Sequence, residues 1–587
     1  MPSLIALSVG PIQEFIAAAR RTRDLFAGSK LLSELSKAAA KGLSDAGGKT
    51  IFPAPDCNLE FDSEDLIANI ILAEVDGNPS EASKALEDAK KAVQECWINI
   101  ANKVYANFAN EDVLRKDVWD SQILDVLELY GAWVSFEKDN PFQSARASLM
   151  RILAGRKSLR NFSSSAQFEG LPKSSLDGQR DTVLVEKPKW SKRSKRLLRV
   201  KKGEQLDCIG VIKRAWKEAD QVFPSVSRIA ADSWLRGIHT TEPKLLSSFK
   251  SDCEEMRRVN SIDLGRLKEG QFKRYEIFPL EGSALYPGRH KDLIDDADDK
   301  SLLEPLKKAL GKLTKDFKEP DPYVAVLLAD GDKMGEAISK IKSATDLRKF
   351  SKSLNDFAVN TKTIVEEKQG TLVYSGGDDV LAILPVDQCI ECAQALRNSF
   401  DTYLKDGLPN GDPVPTLSVG IAIGHSIEDL EDLLNYARDA EKNAKNPANG
   451  EGEKRNGLAV HVHKRGGGPV TVRGNWTNSL DIMLLDLASL INSRKLSGRF
   501  ASELIVLARQ YNPKNNGAWQ PDEITKEAIQ KDTLRVLNKK QGGAKDNVKL
   551  KEIIWKINDF QGIQRLAEQI LVARQIATAK RYLEPRK

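Results

Sequence analysis

Residues 371 to 385, Thr-Leu-Val-Tyr-Ser-Gly-Gly-Asp-Asp-Val-Leu-Ala-Ile-Leu-Pro, set two apolar runs around a Gly376-Gly377 pair and two acids, Asp378 and Asp379. The pattern predicts a β-hairpin with carboxylates at its tip, because glycines accept the positive φ of a tight turn. Such a turn carries no side chain to hold a phosphate off the backbone, and an acid just after it can keep a divalent metal against that phosphate. An ordinary solvated turn uses the same residue types, so the hairpin alone leaves both readings open.

The upstream stretch narrows the choice. Tyr-Val-Ala-Val-Leu-Leu-Ala-Asp-Gly-Asp (323 to 332) is a continuous apolar run ending in two acids around a glycine, the pattern of a buried strand that delivers charge to a site. A helical segment at roughly 335 to 366 follows, then the hairpin, a helix near 387 to 403, a strand at Thr416 to Ile423 and a helix near 427 to 445. That order is βαββαβ, the ferredoxin-like arrangement, in which the first and third strands are antiparallel neighbours. Asp330 and Asp332 should therefore lie beside Asp378 and Asp379, although 48 residues separate Asp330 from Asp378. Acids gathered on adjacent strand ends repel unless a cation sits between them, which points to two-metal nucleotidyl transfer.

Three motifs carry a specific resemblance: Leu-Ala-Asp-Gly-Asp-Lys-Met-Gly (328 to 335), the Tyr-Ser-Gly-Gly-Asp-Asp-Val-Leu hairpin and Ser418-Val-Gly-Ile-Ala. They resemble the palm domain shared by GGDEF-type cyclases and the large subunit of type III CRISPR effector complexes. The N-terminal run Gly10-Pro-Ile-Gln-Glu-Phe through Ser33, with Phe223-Pro-Ser-Val-Ser-Arg-Ile-Ala230 and Asn456-Gly-Leu-Ala-Val-His-Val-His463, is similar to the large subunit of the Cmr-type (III-B) complexes. The resemblance implies a target-RNA-activated nucleotidyltransferase that makes cyclic oligoadenylate from ATP. It also implies sister subunits, guide RNA and target RNA as partners, and no membrane. Asp330, Asp378 and Asp379, with the Gly331 carbonyl, would hold Mg²⁺ or Mn²⁺. Ser375, Gly376, Gly377, Lys445 and Lys442 would contact the nucleotide, joined by Arg20, Arg21, Ser29 and Lys30 from a degenerate first palm. A catalytically silent scaffold subunit and a free-standing GGDEF-like cyclase remain as alternatives.

The expected fold is mixed α/β: two ferredoxin-like palms, a middle region and a C-terminal helical bundle. The boundaries are placed at 1–155, 156–320, 321–475 and 476–587. In the first palm a strand at 3 to 9, a helix from Ile12 to Ala40, a strand near Ala68 to Val75 and a helix at about Ser80 to Ala109 are expected. After 476, amphipathic segments at 478–494, 498–511, 523–538 and 549–583 predict helices. The chain is 41% apolar and 29% charged, with no run of about 18 uncharged apolar residues to span a membrane. Its six cysteines lack framework spacing, which fits a reducing cytoplasm.

Two departures from the family pattern stand out. Many relatives bind zinc through two Cys-x-x-Cys pairs in the middle region, where this chain has Ser174, Asp177, Asp207 and Gly210, with only Cys208 nearby. One thiolate cannot close a tetrahedral site, so no zinc is expected. None of the five histidines precedes an aspartate, so the His-Asp nuclease of many relatives is not expected either. Between the two degenerate stretches, Glu186 to Lys202 packs nine basic residues around Trp190, which suits either an RNA backbone or a solvated loop.

Overall fold

The computed structural model describes residues 1–584 except 62, 64–66, 137–141, 160–167, 169, 202, 217–222, 260, 261, 263, 268–271, 295–299, 410–412, 448–452, 513–520 and 541–547. Lys202 and most of the acidic run between Asp292 and Asp299 therefore lie outside the described residues.

The N-terminal sheet is built from β1 (Ser3–Gly10), β2 (Lys49–Phe52), β3 (Ile70–Val75) and β4 (Glu128–Ser135), in the order β2-β3-β1-β4. With helices Thr22–Asp45 and Pro79–Ala106 between them the order is βαββαβ. All eight residues of β1 are buried, because both faces are covered. Ile5, Leu7 and Val9 join the core shared with the two crossover helices, whereas Leu4 and Ala6 join a core with Ala145, Leu149 and Leu153 of helix Phe142–Ser158. A strand buried on both faces loses the alternation of a half-exposed one, so β1 carries the consecutive apolar run Leu4-Ile-Ala-Leu7, with Ser3 and Ser8 buried beside it.

The helix expected from Ile12 to Ala40 is two helices, Gln13–Ala17 and Thr22–Asp45. The break is held by a residue nearly two hundred positions away. Lys213, fully buried on helix Cys208–Ala215, donates to the Phe15 carbonyl and, at 2.8 Å, to the Ala18 carbonyl. Its ammonium replaces hydrogen bonds that a continuous helix would have made, and burial pushes its pKa down to about 8. The expected helix at 335 to 366 is likewise split, into Met334–Lys340 and Ala344–Glu367, where Ser343 caps the second by accepting from the Asp346 N–H at 3.0 Å.

The larger sheet holds β5 (Tyr323–Gly331), β6 (Thr371–Gly376), β7 (Asp379–Leu384), β8 (Leu417–His425), β9 (Gly457–Val462) and β10 (Val470–Asn475), in the order β10-β9-β8-β5-β7-β6. Strand β5 is antiparallel to both β7 and β8, and β9 runs parallel to β8. Helix Leu430–Lys445 lies directly on this sheet because two glycines leave room for it. A Cβ at Gly420 would collide with the backbone of Ala440 and Glu441, and one at Gly457 with the Ala444 carbonyl. Two large buried clusters contain side chains from both sides of residues 155 and 320, and one of them extends past 475.

The C-terminal part comprises helices Leu480–Asn492, Phe500–Tyr511, Glu523–Lys540, Val548–Trp555 and Phe560–Lys580. The segment expected as one helix over 549–583 is interrupted at 556–559, where Asp559 caps the last helix by accepting from the Gly562 N–H at 2.6 Å. Among the described residues no helix is long and apolar enough to cross a membrane.

Gly420→Ala should destabilise the protein by about 1–3 kcal/mol, since the helix must lift off the sheet to admit the methyl group. Gly155→Ala, whose Cβ would meet nothing within 4 Å, is the control and should leave stability unchanged or slightly raised. A calorimetric melt of both variants beside the parent protein checks this, and equal melting temperatures would refute it.

Candidate functional site

The C-terminal end of β5 and the β6–β7 turn meet at Gly331. A Cβ there would lie 2.8 Å from both Cβ and Oδ2 of Asp378, so only glycine lets the hairpin tip approach the strand this closely. The Gly331 N–H donates to the Asp378 carboxylate, and Gly377 takes φ +76° at the turn, a left-handed conformation natural to glycine. Residues Gly376 and Asp379 close the β6–β7 ladder. Two adjacent carboxylates are thereby held at one recessed spot. Burial and the charge of Asp379 push Asp378 up to about 7, and burial pushes Asp379 up to about 6.

Helix Leu430–Lys445 completes the site from above. Lys445 Nζ forms an ion pair with Asp330 Oδ2 and a second one with Glu441 Oε1 at 2.8 Å. Glu441, one turn before Lys445, is raised to about 7 by burial and by the charges of Asp379 and Asp332. Its proximity to these acids was not anticipated from sequence, although its position four residues before Lys445 put it on the same helix face. Arg473 on β10 donates to the carbonyls of Ala444 (3.3 Å) and Glu453, fixing the end of the helix that carries Lys445.

Asp332 plays a different part from Asp330. It is 2% exposed and accepts from Thr416 Oγ1 at 2.8 Å, from Ser418 Oγ at 2.8 and 2.9 Å, and from the Asn456 N–H at 2.8 Å. Its own N–H donates to the Thr416 carbonyl at 2.7 Å. The carboxylate is thus spent on tying β5 to the starts of β8 and β9.

Among the described residues no three His, Cys, Asp or Glu side chains already converge on one metal position. The donor chemistry still fits a hard divalent cation. It consists of carboxylate and carbonyl oxygens with a surplus of negative charge, and the ammonium of Lys445 stands on Asp330 where a cation would serve.

Two family models match the chain: "Cas10/Cmr2, second palm domain" over residues 323–459 and "CRISPR-associated protein Cmr2, N-terminal" over residues 4–102. Over these two segments the chain is similar to the Cas10/Cmr2 family. It is 26% identical over 556 residues to the CRISPR system Cmr subunit Cmr2 of Pyrococcus furiosus, covering 79% of this chain. The match takes in 62% of that relative's length. Among solved structures it resembles the type III-B Cmr-beta complex in its apo state, with a TM-score of 0.65 and 13% identity over 98% of this chain and 82% of that one. The same complex bound to cognate target RNA gives a TM-score of 0.65 and 14% identity, over 98% and 83% of the two chains. These likenesses establish the fold.

Within the segment matched to the Cas10/Cmr2 second palm, other expected nucleotide contacts are placed differently. The Ser375 hydroxyl is buried and donates to the Ala358 carbonyl at 3.3 Å, so it faces helix Ala344–Glu367 and not the turn. Lys442 points to solvent and pairs with Asp439 at 3.7 Å, away from Lys445. In the Cmr2 N-terminal segment, Arg20 is exposed, whereas Ser29 and Lys30 are buried on helix Thr22–Asp45, with Lys30 Nζ 5.9 Å from the Trp216 ring centre. Arg21 donates to the Arg199 carbonyl at 2.5 Å, which commits it to the middle region.

The positions where thiols were expected are joined by hydrogen bonds. Asp207 Oδ1 accepts from Ser174 Oγ at 3.3 Å and from the Gly210 N–H at 2.9 Å, and Asp177 lies near enough to raise the Asp207 pKa further beyond the effect of burial. Cys208 is fully buried, and its thiol is raised by burial. The Asp207 carboxylate caps helix Cys208–Ala215 and links it to Ser174, a connection that needs no metal. Elemental analysis of purified protein should find far less than one zinc per chain; a stoichiometric amount would overturn this account.

The acids also set a pH dependence. Asp378 and Asp379 ionise near 7 and 6 in the fold but near the ordinary 3.8 when unfolded, so the folded state binds more protons between those limits. In metal-free buffer their contribution should fall as pH rises from about 4 to 7, with the full penalty above that range. Asp378→Asn with Asp379→Asn should therefore melt higher than the parent at pH 8, with the gap vanishing toward pH 4. A melting series over that range tests the sign, and a variant less stable at pH 8 would refute it.

Proposed function

We propose that the chain is the large subunit of an RNA-guided type III-B effector complex and that its second palm joins ATP molecules into a cyclic oligoadenylate. The observation that carries this reading is the approach of Asp378 to Gly331, which sets the hairpin acids beside the end of β5 that bears Asp330. A structural turn has no use for two recessed carboxylates with raised pKa values, whereas a phosphoryl-transfer site does.

Mg²⁺ or Mn²⁺ held by Asp330, the Gly331 carbonyl, Asp378 and Asp379 would activate a ribose 3′-hydroxyl and neutralise charge on the phosphates. Gly377 takes the left-handed conformation the turn needs and Gly376 leaves room for the Tyr374 hydroxyl, which a Cβ there would strike, so a triphosphate would lie on a turn backed by that ring. Lys445 is the group that moves: it exchanges Asp330 for phosphate oxygens, while Glu441 keeps it on the correct helix face. A new 3′-oxygen to α-phosphorus bond forms, the α–β anhydride breaks and pyrophosphate leaves, so the residues contribute positioning and charge rather than covalent chemistry. Sister subunits, guide RNA and target RNA are the partners of this reading, with the C-terminal helices as a docking surface and the cytoplasm as the setting.

A second reading, a silent scaffold subunit, is favoured by one observation: Asp330 is already neutralised by Lys445, with no ready metal centre among the described residues. The assembled complex supplied with ATP, Mn²⁺ and target RNA separates the two. Asp378→Ala with Asp379→Ala should lower oligoadenylate, identified by mass spectrometry, by at least about a thousandfold, the scale of losing key electrostatic groups at such a site. RNA binding and assembly should persist. Collapse of assembly in the double variant, or absence of product from the parent complex, would favour the scaffold.

A further inference from the structure

The basic run from Lys187 to Lys201 is a built element, not a loose loop. Ser191 caps helix Lys192–Leu198 by accepting from the Ser194 N–H at 3.1 Å. Glu111, from beyond helix Pro79–Ala106, accepts from Ser191 Oγ at 2.7 Å and from Ser194 Oγ at 2.6 Å. These hydroxyls keep the Glu111 carboxyl below its ordinary range, so it remains a charged clamp. Leu198 is fully buried, Leu197 and Val200 pack against the same core, and the Arg199 carbonyl accepts from Arg21.

Anchoring one face leaves the other to its charges. Lys187, Lys189, Arg193 and Lys201 are exposed. Arg193 donates to the Asn107 amide oxygen at 3.1 Å and lies near enough to Glu111 to help hold that carboxyl down, and Lys201 pairs with Asp292 at 3.2 Å. Among the described residues Lys187 and Lys189 have no acidic partner. Trp190, between Lys189 and the helix, packs against the same core as Leu197 and Val200 and is only half-buried, so part of its ring stays at the surface. The chain as a whole carries only +6, so this concentration is local. A fold that spends a buried leucine, two serine clamps and a shared carboxylate on presenting a run of exposed cations, two of them without an acidic partner among the described residues, is building a binding surface for a polyanion.

We propose that this face binds single-stranded RNA directly, with Lys187, Lys189 and Arg193 on successive phosphates and Trp190 against a base. RNA is favoured over an acidic protein segment because an aromatic side chain among regularly exposed cations matches alternating bases and phosphates. The inference gives the RNA partner of the proposed function a place of contact. It is read without ATP or metal, so its failure is distinguishable from failure of nucleotidyl transfer.

The test is fluorescence anisotropy of the full chain with a labelled oligouridine over a range of salt. Replacing Lys187, Lys189 and Arg193 together by Gln should weaken binding at least tenfold. It should also reduce the slope of log affinity against log salt by about 2, from roughly 0.7 per lost phosphate contact on single strands. Replacing Lys340, Lys342 and Lys349 by Gln removes the same charge elsewhere and should change neither quantity. Trp190→Leu should lower affinity while leaving the salt slope unchanged. Equal effects of the two triple variants would reduce the binding to bulk charge and overturn the proposal. Oligoglutamate binding as tightly as oligouridine, or no effect of Trp190→Leu, would overturn RNA as the occupant.

Discussion

A single buried carboxylate ties the strands of the second palm to one another. Asp332 leaves water almost completely, a costly move offset by hydroxyls from Thr416 and Ser418 and the Asn456 N–H that converge on it, with the Arg455 guanidinium 4.0 Å away. Those donors come from the starts of two other strands, so satisfying the charge fixes β5, β8 and β9 relative to one another. Asp330, two residues earlier, inherits its position from that anchoring. The helix carrying Glu441 and Lys445 is set by the same sheet, through the bare backbone at Gly420 and Gly457.

What that framework supports is electrostatic tension. Asp330 and Glu441 pair with one lysine while Asp378 and Asp379 crowd together at the neighbouring hairpin tip, and the raised pKa values of Asp378, Asp379 and Glu441 express the mismatch. Raised carboxylate pKa values of this kind mark charge gathered at the expense of local stability. Lys445 moderates the tension in the metal-free state, and its long, rotatable stem makes it the one group here that can change partners without moving the backbone.

The hairpin does not stand on the second palm alone. Helix Ala344–Glu367 supports the turn, with Leu354 positioned 3.3 Å from where a Cβ on Gly377 would sit. The same helix reaches the N-terminal sheet: Arg348 pairs with Glu74 at 3.1 Å and donates to the Thr50 carbonyl at 3.1 Å, and Lys352 pairs with Asp56. Helix Thr22–Asp45 contacts β6 from the other side. A displacement of the first palm therefore has a short mechanical route to the hairpin acids.

The strands around the hairpin were legible in the chain because their signals are local. An apolar run ending in Asp330-Gly331-Asp332, a Gly-Gly turn and period-two patterning specify β5, β6 and β7, and the βαββαβ order then requires β5 and β7 to be neighbours. The family, too, was written in contiguous motifs, as the matches over residues 4–102 and 323–459 bear out. What sequence could not settle was how long-range partners spend each polar group. Asp330 and Asp332 look alike in the chain, yet one faces Lys445 and the other is consumed by a hydrogen-bond network. The helix at Ile12 is broken because Lys213 supplies the missing donors. Ser375 turns its hydroxyl to Ala358, and Ser174 and Asp207 meet across 33 residues to make a cap. Period and propensity are properties of neighbouring residues, whereas the fate of a buried polar atom depends on which distant group the tertiary structure brings within 3 Å of it, and only the fold decides that.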